Sequence, residues 1–130
     1  MDISKAKISA VLAALGVVLG AFGAHALRDL LEVRQLESWK TAVLYLFIHT
    51  IAMLVLSLVS FDGPQRRIAN TSWYLFAVGV LLFSGSIFML SLKSQVSFPV
   101  SWLGPVTPIG GVCFIAGWLY LLRVPTAESR

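Results

Sequence analysis

The stretch ISAVLAALGVVLGAFGAHAL, Ile8–Leu27, carries no Asp, Glu, Lys or Arg over twenty residues. A helix needs about 20 apolar residues to cross the hydrocarbon of a bilayer, so this segment predicts a membrane span. Three further charge-free stretches follow it: Thr41–Phe61, Asn70–Leu92 and Ser94–Leu122. Backbone polar groups in lipid must pair within their own segment, which makes each stretch a helix. The spans are read as Ile8–Leu27, Ala42–Phe61, Trp73–Leu92 and Trp102–Leu122. The fold class that follows is an all-α integral membrane protein: a four-transmembrane-helix bundle forming one domain over residues 1–130.

Composition agrees. Of the 130 residues, 58% are hydrophobic and 12% charged, against about 25% charged in a typical soluble domain. A chain this short cannot bury so much apolar surface within itself, and lipid solvates what remains. The net charge of +4 needs no nucleic-acid partner, because the bases flank the spans, where they meet headgroups. The implied partners are membrane lipids, with a homo-oligomer or a larger membrane complex as possible assemblies. Cys113 is the sole cysteine, so no intramolecular disulfide can form.

The first span could be taken for a signal peptide, since Lys5 and Lys7 precede it and Ala24-His25-Ala26 resembles a small-residue cleavage site. Its apolar run exceeds the roughly 7–15 residues of a signal core, so it is expected to remain. With the N-terminus inside, Lys5, Lys7, Arg66, Arg67, Arg123 and Arg130 fall on the cytoplasmic side, and Arg28, Arg34, Lys40 and Lys93 on the other. The excess of bases inside predicts both termini in the cytoplasm and a bacterial inner (plasma) membrane location. Between the first two spans, Leu30, Val33, Leu36 and Trp39 recur at helical spacing among charges. That pattern predicts a short amphipathic helix at the membrane surface within Arg28–Lys40. Trp39, Trp73 and Trp102 are expected at span edges, where indoles favour the interface.

Small residues are the next signal. Gly16, Gly20 and Ala24 recur every fourth residue on the first span, and Gly110 and Gly117 lie two turns apart on the fourth. Such spacing lets helices approach closely. Packing inside one bundle is the first reading of these faces, and an oligomer interface the second. Pro105, Pro108 and the pair Gly110-Gly111 are expected to loosen or kink the start of the fourth span.

Candidate functional residues are few. Two histidines, His25 and His49, lie within the spans, and no carboxylate does. Counting about 1.5 Å per residue from the expected edges puts His49 nearly level with Ser86 and Thr107, in one outer-leaflet cluster with His25 that Ser84 and Thr50 could extend. Such a cluster either fixes helix register through hydrogen bonds or holds a ligand. Neither histidine belongs to a metal-spaced motif, and no metal is expected. No catalytic constellation or phosphate loop is present, so the chain is expected not to be an enzyme and to need no cofactor. Paired haem ligation by His25 and His49 stands as a minor alternative.

Taken together, Leu19-Gly20-Ala21-Phe22-Gly23-Ala24-His25, Tyr45 with His49-Thr50, Leu82-Phe83-Ser84-Gly85-Ser86, and Thr107-Pro108-Ile109-Gly110-Gly111 with Gly117-Trp118 resemble the YgdD-like family of small bacterial inner-membrane proteins, which has eukaryotic relatives. The resemblance spans nearly the whole chain in order. It implies four spans and a membrane location, and it supplies no reaction. The leading expectation is a membrane protein of unestablished activity that packs with itself or a larger complex. The alternative is a small transporter, channel or ligand-binding bundle built on the His/Ser/Thr cluster.

Overall fold

A computed structural model describes residues 1–125, leaving Arg130, one of the bases assigned to the cytoplasmic side, outside the described residues. Among the described residues five α-helices occur, in the order α1 (Ile3–Ala24), α2 (Val33–Leu58), α3 (Gly63–Gly79), α4 (Gly85–Ser91) and α5 (Val106–Leu121). A π-helical turn at Val80–Ser84 joins α3 to α4 without interruption, so Gly63–Ser91 is one 29-residue span. A 3-10 turn at Ser101–Leu103 leads into α5. Four helices are thus long and apolar enough to cross a membrane. The chain is an all-helical, four-span membrane protein.

The span edges differ from those set by the charge gaps, most of all in α2, which begins at Val33 rather than Ala42. The helix expected within Arg28–Lys40 therefore exists from Val33 onward, but as the first turns of α2 and not as a separate surface element. Arg34, Glu37 and Lys40 are exposed while Trp39 and Ala42 are buried. Charge on one side of a helix does not end its packing on the other. Trp39 docks on α1, where its indole N–H donates to the Leu19 carbonyl at 2.8 Å, and its ring meets Phe88 of α4 at 4.6 Å. Trp73 is likewise buried and donates to Ser9 Oγ at 3.2 Å. Only Trp102, 67% exposed, suits the interfacial role expected of all three.

Packing runs from α1 to α2, from α2 to the third span, and from the third span to α5. The core lies along the central helices, where Leu46, Met53, Trp73, Phe76, Val80 and Phe114 form one buried cluster. The glycines of α1 are used inside this bundle. A methyl on Gly16 would lie 2.7 Å from Leu46 Cδ2, and one on Gly23 would lie 2.6 Å from the Trp39 ring. Gly20 has only an ordinary 3.5 Å contact, and Ala24 is exposed. The close face is Gly16–Gly23, spaced by seven, and not the expected Gly16–Gly20–Ala24 row. Gly23→Leu should accordingly lower the thermal midpoint in detergent sharply, while Ala24→Leu leaves it in place; equal effects would reject this face.

Neither Pro108 nor Gly110-Gly111 breaks α5. Pro105 caps the helix and Pro108 falls in its first turn, where a missing N–H is tolerated. The irregularity sits opposite, at the π turn, where the Gly85 N–H reaches back to the Val80 carbonyl. Gly110 packs against the backbone of that turn, with its missing Cβ 2.8 Å from Leu82 C and Phe83 Cα.

Candidate functional site

His49 is buried in α2 and points toward α5. Its ring stacks on Phe114 with centroids 3.5 Å apart and planes 9° from parallel. Nδ1 lies 2.7 Å from the Tyr45 carbonyl, and Nε2 lies 3.1 Å from Trp118 Nε1. A carbonyl only accepts and an indole N–H only donates. The imidazole is therefore neutral, with its proton on Nδ1 and its Nε2 lone pair filled by Trp118. His49 does face inward and bonds to another helix, as expected of a polar ring in lipid, but its partner is Trp118 rather than Ser84, Ser86 or Thr107.

The expected four-helix cluster separates into independent contacts. Ser84 donates to the Ala42 carbonyl at 2.8 Å, which places it level with residue 42 of α2, about 10 Å along the axis from His49. Ser86 and Thr107 pair with each other at 2.6 Å between α4 and α5. Thr50 bonds within its own helix, to the Phe47 carbonyl at 3.2 Å. His25 caps the exposed end of α1. Because Gly23 abuts Trp39, His25 lies roughly 15 Å from His49 along α2, and the two cannot face one bound group. Gly110 and Gly117 both sit at the α5 contact with the third span, where a methyl on Gly117 would lie 2.5 Å from Phe76 Cε1.

An apolar groove of about 440 Å³ opens beside His49, lined by Tyr45, Ile48, Phe83, Phe114, Ile115 and Trp118 among others. Two other cavities lie at the ends of the bundle. One, of about 540 Å³, is bordered by Glu32, Arg34, Ser38, Ser91, Lys93 and Thr107. The second, of about 230 Å³, is bordered by Met1, Asp2, Ser57, Asp62, Arg66 and Asn70. The three share no lining residue. No group of three His, Cys, Asp or Glu side chains able to hold a metal ion occurs among the described residues.

Sequence reasoning missed Lys5. Counted only as a flanking base, it is buried, with Nζ 2.6 Å from Asn70 Oδ1 and 3.6 Å from Asp2 Oδ2. The same ammonium lies 4.7 Å from the Tyr74 ring centroid and 5.5 Å from that of Trp73. The Lys5 backbone N–H donates to Asp2 Oδ1, which caps α1, and chiefly that bond holds the Asp2 carboxyl below its ordinary value. Asn70 and Trp73 on the third span, facing a lysine two residues inside the first helix, were the available signal.

These features define a small, all-helical, four-span membrane protein whose polar span residues are mostly hydrogen-bonded, many of them to backbone carbonyls. The chain belongs to the family described as "Protein of unknown function (DUF423)", whose model matches residues 19–111. It is 39% identical to a "UPF0382 membrane protein" of Staphylococcus epidermidis over 89% of this chain and 93% of that one. It is 35% identical to the UPF0382 membrane protein YwdK of Bacillus subtilis, covering 88% and 89% of the two chains. A relative in Schizosaccharomyces pombe, also named a UPF0382 membrane protein, is 36% identical over 89% of this chain and 96% of its own length. No solved structure matches.

Proposed function

We propose that the chain stands with the YgdD-like members of this family as a non-enzymatic protein of the bacterial inner membrane, both termini cytoplasmic, that works by packing with membrane partners in the bilayer plane. One observation carries the reading: both ring nitrogens of His49 are spent on Tyr45 and Trp118. The buried imidazole in the spans is thus part of the scaffold, and what the molecule offers is surface. The outward sides of α1 and α5, the spans least buried within the bundle, supply much of it, with Val11, Val17 and Val18 on α1 and Val112, Ile115 and Leu119 on α5 each more than half exposed. The close glycine faces are consumed internally, so self-association would use these outward residues.

Photo-crosslinking in cells tests the proposal. A photoreactive residue at Val11 or Ile115 should give discrete protein adducts, at twice the chain mass for a homo-oligomer or at another mass for a different partner. Lipid adducts alone from both positions would reject it. Cysteine labelling of each loop in a Cys113→Ala background reads the orientation, and an outward C-terminus would overturn it.

A second reading, a ligand-binding bundle, rests on the groove beside His49. Its aromatic walls and lateral opening suit a flat apolar ring lying against Phe114 and Trp118. A transporter or channel is disfavoured by the filled aromatic core and by cavities with no shared lining.

A further inference from the structure

We draw no further inference here: the strongest candidate, the apolar groove beside His49 between α2 and α5, carries nothing beyond the readings above, because both ring nitrogens of His49 are already bonded within the protein and nothing in the structure shows what covers the groove.

Discussion

Replacing Gly110 by leucine should cost more stability than any other single change in the spans. A Cβ there meets the backbone of Phe83 and lies 2.8 Å from Leu82 C, so the obstacle is main chain rather than the end of a side chain. At Gly79 and Gly117 the obstacles are the rings of Phe114 and Phe76, which can give by small shifts. A π turn held on both sides cannot. The penalty belongs at or above the top of the roughly 1–3 kcal/mol range for overpacking a core. Gly111→Ala is the matched control. Its nearest atoms are 3.8 Å away, and alanine is worth about 1 kcal/mol over glycine in a helix, so it should be neutral or stabilising. Thermal unfolding of both variants in one detergent decides the matter. Equal midpoints would show that α5 is not seated on the third span through Gly110.

The second large effect is expected at His49. Alanine there opens a void against Phe114 and leaves the Trp118 N–H without its acceptor. An abandoned donor costs about 1–3 kcal/mol, and the lost ring packing adds to it, for a total of about 3 kcal/mol. His49→Phe keeps the stack and loses both hydrogen bonds, so it should fall between alanine and the parent. A cycle combining His49→Ala with Trp118→Phe should show coupling of about 1 kcal/mol. If the groove instead holds a ligand, His49→Ala should abolish binding at unchanged stability. That outcome would move His49 from scaffold to site.

The spans were legible because charge is so expensive in lipid that its gaps mark each helix. Their relative heights were not. Arg34, Glu37 and Lys40 stop the apolar run at Thr41, yet they occupy the exposed side of a helix that begins at Val33. Taking the charge boundary as the helix end slid α2 along the third span. That slide set His49 beside Ser86, when its neighbours are Phe76 of the third span and Phe114 of α5. His49's inward direction survived the error, because the cost of an unmet imidazole does not depend on height. Trp39 and Trp73 misled for a related reason. Their place at an edge of the apolar run suggested the interface, but an indole in lipid also serves as a donor to a neighbouring helix, here to Leu19 and Ser9. Lys5 shows the converse, a base whose sequence position marked a flank and whose fold made it a buried anchor.

The π turn at Val80–Ser84 has a consequence for how the third span presents itself. Closing hydrogen bonds over five residues instead of four makes room for one surplus residue and advances everything beyond it by about 100°. The span is thus two helices of different phase spliced end to end. Trp73, Phe76 and Gly79 are buried on the phase of the first half, and Ser84, Ser86 and Ser91 on that of the second. A helical wheel drawn through the splice blurs both, and each half has its own freedom to drift. One half meets α2 and α5 with aromatic bulk, and the other meets them with hydroxyls.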